Sequence, residues 1–254
     1  MDPTNTARSD EDGNLRLCLL GGWTFFPLYL IGIVLIAQFI PPPAATLSGE
    51  EIKALFDANQ FRLLVAMAVC VIATALYVPW SVALHGVMAK IEGGSRPLAL
   101  TQLASGAVGA VFFVITPMVW ATMAFRSGHS PGAMLVLNDF AWISWIISWP
   151  FFLVQEFAFG IAILRSRSNF LPRWLAYFSL MGATTMFPAT LIIFFKSGPF
   201  AWNGVFGIYL PLVLFALWFN LATYLSYRAL RNSRATARSD ASTPSPSVER
   251  SALI

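Results

Sequence analysis

The sequence predicts an all-α integral membrane protein in which six transmembrane helices form a kinked bundle. The chain is 57% hydrophobic and only 11% charged, whereas soluble domains average about 25% charged residues. Its 254 residues contain six long apolar runs, each of at least about 18 residues, which is enough to cross a bilayer as a helix. Helices are expected because they satisfy their backbone polar groups internally in lipid.

These runs divide the chain into three parts. Residues 1–16 form an N-terminal segment, residues 17–230 form the transmembrane domain, and residues 231–254 are predicted to be a disordered tail because they are rich in Ser, Thr, Pro and Arg. The first run is too long for the core of a signal peptide, so it is expected to remain as span one. The predicted spans are Leu17–Ile40, Phe61–Val87, Leu98–Phe125, Ala133–Leu164, Trp174–Phe195 and Ala201–Tyr227.

A short amphipathic helix is predicted outside the membrane, between spans one and two. Ser48 followed by Glu51 has the spacing of a capping box. Ile52, Leu55 and Phe56 then share one face of the helix. The pattern is typical of an interfacial segment that leads into span two, and a lid over an external opening is the alternative interpretation.

The distribution of positive charge predicts a multi-pass protein of the cytoplasmic membrane with both termini in the cytoplasm. With the N-terminus inside, the external segments hold Lys53, Arg62, Arg126 and Lys196. The cytoplasmic segments hold Arg8, Arg16, Lys90, Arg96, Arg165, Arg167, Arg173, Arg228, Arg231, Arg234, Arg238 and Arg250. Topology therefore accounts for the net charge of +4, and the lipid bilayer, rather than nucleic acid, is the expected partner.

Each predicted span contains one proline, which removes a backbone donor and tends to kink a helix. The six are Pro27, Pro79, Pro117, Pro150, Pro188 and Pro211. Bent helices around an interior cavity and plain irregularity of packing are both consistent with this pattern.

Span four contains a stripe of polar and aromatic residues that ends at a buried acid. Its members are Asn138, Trp142, Trp145, Trp149, Phe152 and Glu156. Their alternating spacings of four and three place them on one helix face, since successive residues turn by about 100°. Glu156 lies too far from the end of the run to reach water by snorkelling, so it is expected to face the bundle.

The stripe has two interpretations. As a packing seam, it would hold a carboxyl group that is either neutral or hydrogen-bonded to a group such as Asn220, Gln102 or Tyr177. As a site, it would form an aromatic pocket with Glu156 at its base, and Asn138, Trp142, Trp145, Trp149 and Phe152 would contact the ligand. Gln155, which lies about 100° away on the helix, is expected to form an interhelical hydrogen bond instead.

No pattern in the sequence indicates a cofactor or a metal centre. His85 and His129 fall on opposite sides of the predicted membrane, and Cys18 and Cys70 lie in separate apolar runs. Nucleotide-binding loops and clustered aspartates for diphosphate chemistry are also missing.

Three functional hypotheses follow from these features. The first is a non-enzymatic membrane protein that binds or passes a small lipophilic or cationic molecule, or serves as an accessory unit to a partner membrane subunit. The second is a metal-independent membrane enzyme, such as a proton-initiated isoprenoid cyclase or isomerase, with Glu156 as the catalytic general acid. The third is a structural or assembly protein.

Overall fold

The computed structural model describes the backbone of residues 3–93 and 96–242, and the side chains of residues 10–93 and 96–233. Within these ranges it is helical, with no strand. Six segments are long and apolar enough to cross a membrane, so the predicted all-α membrane bundle with six spans is confirmed. Spans one to six are Asp10–Ile36, Gln60–Glu92, Pro97–Phe125, Pro131–Arg165, Arg173–Ile193 and Val205–Ser233.

Five of the six spans depart from regular α-helix near their proline. The α-helices are α1 Pro3–Leu30, α2 Gly49–Ala58, α3 Gln60–Ala75, α4 Tyr77–Glu92, α5 Pro97–Phe125, α6 Pro131–Ile147, α7 Trp149–Arg165, α8 Arg173–Thr184 and α9 Leu210–Ser242. Span one ends in a π-helix, Ile31–Ile36, span five in a 3₁₀-helix, Phe187–Ile193, and span six begins with a π-helix, Val205–Tyr209.

In spans two, four, five and six the departures follow from the missing proline N–H and the clash of its ring with the preceding turn. The π-helix of span one lies after Pro27 and is not explained in this way. Spans two and four are interrupted at Leu76 and Ser148, in the turn before Pro79 and Pro150. Pro27 and Pro117 are exceptions, because α1 and α5 continue through them without a break.

The spans form a closed ring in chain order. Each packs against the span before and after it, and span six returns to pack against span one. Span two also contacts spans four and six, so its second half, α4, lies nearest the centre of the bundle. Its Trp80 is fully buried and stacks on Phe219 of span six with 4.0 Å between ring centroids.

Both ends of the six-span bundle lie on one side, which is called the terminal side below; the other is the far side. Asp12 of span one accepts a hydrogen bond from the hydroxyl of Ser233 in span six at 3.2 Å. Lys90, at the end of span two, places its Nζ 2.9 Å from Asp12 Oδ1 and 3.3 Å from Glu11 Oε1. These contacts join three spans at the terminal side.

The predicted amphipathic helix on the far side is confirmed as α2. Ser48 and Glu51 form both hydrogen bonds of the capping box, and Ile52 and Phe56 are buried. The helix packs on α6, the first half of span four. Close packing is possible there because the position next to the Pro131 carbonyl is a glycine, Gly49.

The last helix is longer than the sequence suggested. α9 continues past residue 231, where we predicted the tail to begin, as far as Ser242. The predicted disorder of residues 243–254 lies outside the described residues.

Candidate functional site

The stripe of span four is divided by the interruption at Ser148. Asn138, Trp142 and Trp145 lie on α6, whereas Phe152 and Glu156 lie on α7, whose first residue is Trp149. Asn138, Trp142, Phe152 and Glu156 are buried, and Trp145 and Trp149 are partly exposed. The stripe therefore faces the bundle along its length, with the two half-buried indoles on either side of the interruption.

An open cleft of about 90 Å³ adjoins the two half-buried indoles. Four spans contribute aromatic or thioether side chains to its wall: Phe113 from span three, Trp145, Trp149 and Phe152 from span four, Met186 from span five and Phe215 from span six. The lining contains no charged side chain. A smaller cavity of about 30 Å³ shares Phe113, Trp145 and Phe215 with the cleft and extends towards span one.

Two polar side chains that border the cleft, Trp149 and Ser148, have hydrogen-bond partners. The indole N–H of Trp149 donates to the Thr190 hydroxyl at 3.0 Å. The hydroxyl of Ser148 donates to the carbonyl of Trp145 at 2.6 Å. The cleft is therefore suited to apolar groups, because its wall is mainly aromatic and aliphatic and these two polar groups are already paired.

Three stripe residues lie outside this cleft, and two of them, Asn138 and Trp142, lie towards the far side. Trp142 is fully buried in a second aromatic cluster on the far side, where its ring centroid is 5.0 Å from that of Trp120 and 6.2 Å from that of Trp202. Asn138, one turn closer to the far side, is also buried and is not part of the cleft wall. The structure thus brings together Trp145, Trp149 and Phe152 at the cleft, whereas Asn138 and Trp142 do not line it, although the ring of Trp142 lies 5.8 Å from that of Trp145.

Glu156 is fully buried, and neither carboxyl oxygen has a hydrogen-bond partner among the described residues. The three partners that we predicted are engaged or placed elsewhere. Asn220 donates to the carbonyl of Ala216 on an exposed face, Gln102 donates to Ser81 at 3.1 Å, and Tyr177 is 62% exposed. The prediction of these partners is wrong because residue type along one helix does not fix which way the neighbouring helices turn.

A cluster of polar residues connects spans two, three and four next to Glu156. Tyr77 donates to Gln155 Oε1 at 2.6 Å, which confirms the interhelical hydrogen bond predicted for Gln155. Gln102 bonds Ser81, and a Cβ on Gly106 would lie 2.5 Å from the Ser81 hydroxyl. Nε2 of Gln155 and Oε1 of Gln102 have no partner among the described residues.

Phe152 touches both the cleft and this polar cluster. Its ring lines the cleft and lies 5.1 Å from that of Phe215 and 6.5 Å from that of Tyr77. Glu156 follows one helical turn later on α7 and does not line the cleft. In this arrangement the acid is separated from the aromatic pocket rather than exposed at its base.

Sequence reasoning missed Tyr77 and the cleft residues of spans three, five and six. A tyrosine two residues before a proline within an apolar run was the available signal for Tyr77. Phe113, Met186 and Phe215 carried no such signal, because apolar side chains occur at most positions of these spans.

Comparison of the chain with models of protein families, with curated proteins and with solved structures gives no match. In the part of the chain whose side chains are described, no three His, Cys, Asp or Glu residues are grouped as metal ligands.

Proposed function

We propose that this multi-pass membrane protein binds the apolar part of a small lipophilic molecule in the cleft between spans three, four, five and six. The observation that carries the proposal is an open cleft, at transmembrane depth, whose wall combines rings from Phe113, Trp145, Trp149, Phe152 and Phe215. Ligand sites are typically concave and lined by aromatic side chains. The volume is smaller than the dry cavity of about 150 Å³ that holds benzene in an engineered protein, so part of the ligand extends into the lipid.

The chemistry of the wall supports a neutral ligand over a cationic one. Indole faces attract cations, but the cleft has no carboxylate to balance a buried positive charge. Glu156, the one acid nearby on α7, lies a turn beyond Phe152. A cation would therefore lose its hydration without gaining an ionic partner.

A photoreactive hydrocarbon tests this proposal. The full-length protein in nanodiscs is irradiated with a diazirine-bearing aromatic hydrocarbon, and the labelled peptides are mapped by mass spectrometry. Labels are expected on the segments around Trp145–Phe152 and Gly207–Phe215. A Leu212→Trp substitution, which fills the cleft, is expected to reduce this labelling several-fold.

The matched control is Leu217→Trp on the same helix, because Leu217 is 49% exposed and does not line the cleft. It is expected to leave the labelling unchanged. Uniform labelling of all exposed helix faces, equal in both variants and in the parent chain, would contradict the proposal. A quaternary ammonium analogue of the probe is expected to label the cleft less than the neutral probe.

We also propose that the terminal side is cytoplasmic. In support, the linkers and helix ends of the terminal side carry most of the Lys and Arg residues, as the positive-inside pattern requires. A reporter enzyme that works only in the cytoplasm is expected to be active when it is fused after Ile254. A reporter enzyme that works only outside the cytoplasm is expected to be active when it is inserted after Gly128. The reverse result would overturn the orientation and leave the cleft proposal intact.

Proton exchange at Glu156 is a second candidate function. Glu156 is fully buried, and neither of its carboxyl oxygens has a hydrogen-bond partner among the described residues. This supports the candidate function, because unsatisfied buried groups of this kind need an explanation and often mark functional sites. The enzyme hypothesis, with Glu156 as general acid, additionally requires that Phe152 move aside to admit substrate. If the rate of transport or turnover in Glu156→Gln equals that of the parent protein at every pH, both proton exchange and general-acid catalysis at Glu156 are ruled out.

A further inference from the structure

A groove of about 530 Å³ opens on the terminal side, between the start of span five and the end of span six. It shares no residue with the aromatic cleft. Arg173 and Trp174 line it from α8, and Leu225 and Arg228 line it from α9. Two cations, an indole and an aliphatic side chain therefore surround one opening at the edge of the apolar bundle.

Both arginines are exposed and have no salt bridge within the described residues. Three of the described acids on the terminal side are engaged: Glu11 and Asp12 with Lys90, and Glu92 with the backbone at the start of α5. The fourth, Asp10, is exposed on span one and does not line the groove. The groove also borders the first turn of α8, whose N-cap, Pro172, provides no side-chain cap. All these groups favour an anion.

An exposed tyrosine lies one helical turn deeper than each arginine. Tyr177 follows Arg173 by four residues on α8 and is 62% exposed. Tyr224 precedes Arg228 by four residues on α9 and is 51% exposed. Because residues four apart share a helix face, and because spans five and six run in opposite directions, both tyrosines lie on the membrane-centre side of their arginine.

We propose that this groove binds the headgroup of an anionic phospholipid. Arg173 and Arg228 contact the phosphate, since guanidinium groups match its geometry. Tyr177 and Tyr224 reach the glycerol and ester oxygens, and Trp174 occupies the interface that indole rings prefer. The arrangement fits a lipid better than a free phosphate, because the polar groups extend in a line from the surface into the apolar layer.

The proposal predicts selective retention of anionic lipid by the full-length protein. It is purified in detergent, mixed with phosphatidylglycerol or phosphatidylcholine, and bound lipids are counted by native mass spectrometry at several concentrations. Phosphatidylglycerol is expected to bind at least tenfold more tightly than phosphatidylcholine. Arg173→Gln and Arg228→Gln are each expected to weaken it about fivefold, as for one cation at an anionic surface.

Arg167→Gln is the matched control, because Arg167 is exposed on the same side and does not line the groove. It is expected to leave the affinity unchanged, and unchanged elution on size exclusion identifies variants that still fold.

The tyrosines are tested by Tyr177→Phe and Tyr224→Phe, which keep the ring. Each is expected to weaken the binding of phosphatidylglycerol about twofold and to leave the weak binding of soluble glycerol phosphate unaltered. Equal affinity for both lipids, equal loss in Arg167→Gln, or tight binding of glycerol phosphate would each overturn the proposal.

Discussion

Gly182 of span five leaves the space that the carboxyl group of Glu156 occupies on span four: a Cβ on Gly182 would lie 3.0 Å from Oε2. This is tighter than ordinary van der Waals contact, so the acid and the backbone of α8 are packed against each other. The environment of Glu156 is therefore set by the close approach of two helices, with glycine as the residue that permits it.

The contact predicts that Gly182→Ala destabilises the protein. The new methyl group requires the fully buried carboxyl to shift slightly, and overpacking costs about 1 to 3 kcal/mol, which exceeds the roughly 0.5 to 1 kcal/mol that alanine gains over glycine in a helix. The free energy of unfolding in mixed micelles measures the effect. Gly132→Ala is the control, because that helical glycine has open space around it, and there alanine should be neutral or stabilising. In a Glu156→Ala background the loss from Gly182→Ala should shrink, and an undiminished loss would show that another atom is responsible.

Replacement of Glu156 by an apolar residue is expected to stabilise the fold. The carboxyl is buried without a described partner, so Glu156→Leu removes an unsatisfied polar group and is expected to raise the free energy of unfolding by about 1 to 3 kcal/mol. Glu156→Gln keeps a buried polar group and should give no comparable gain. Marked destabilisation of the leucine variant alone would mean that the acid is held by hydrogen bonds after all.

The hydrogen bond between Tyr77 and Gln155 predicts a coupled pair of substitutions. Tyr77→Phe leaves Gln155 Oε1 without its donor and is expected to cost about 0.5 to 2 kcal/mol, the range of interhelical hydrogen bonds in membrane proteins. When Gln155→Leu is added, the loss should be partly recovered, because no polar group is then left unpaired. Unfolding measurements on the four proteins of the double-mutant cycle give the coupling, and additivity would argue against the bond.

The capping box of α2 predicts a pH-dependent contribution outside the membrane. The hydrogen bond from the Ser48 backbone N–H, followed by the interaction with its side chain, holds the pKa of Glu51 below its ordinary value of 4.5. Because the pKa is lowered in the folded state, the stabilisation is complete above the ordinary pKa and is lost as pH falls through the lowered one.

An NMR titration of the Glu51 carboxyl group measures this shift. Ser48→Pro removes the N–H donor at a φ of −72°, an angle that proline adopts, and should return the pKa of Glu51 towards its ordinary value. Ser48→Ala keeps the backbone donor and should give a smaller change. An identical titration in all three proteins would refute the role of the cap.

Much of the architecture follows from local sequence. Long apolar runs determine the spans, because a lipid-exposed backbone has no solution other than a helix or a closed barrel. Prolines such as Pro79 and Pro150 fix where spans two and four are interrupted, since the missing N–H acts within a turn of the ring. The capping box of Ser48 and Glu51 is equally local, and the structure confirms it.

The site depends on contacts between spans that no local pattern encodes. The sequence alone placed Trp145, Trp149, Phe152 and Glu156 on one helix face. The tertiary structure decided that Phe113, Met186 and Phe215 complete a cleft around the first three and that Glu156 lies beyond it, against Gly182. The physical reason is that a helix fixes the direction of its own side chains, whereas the helix that each one meets depends on how all six spans rotate and pack.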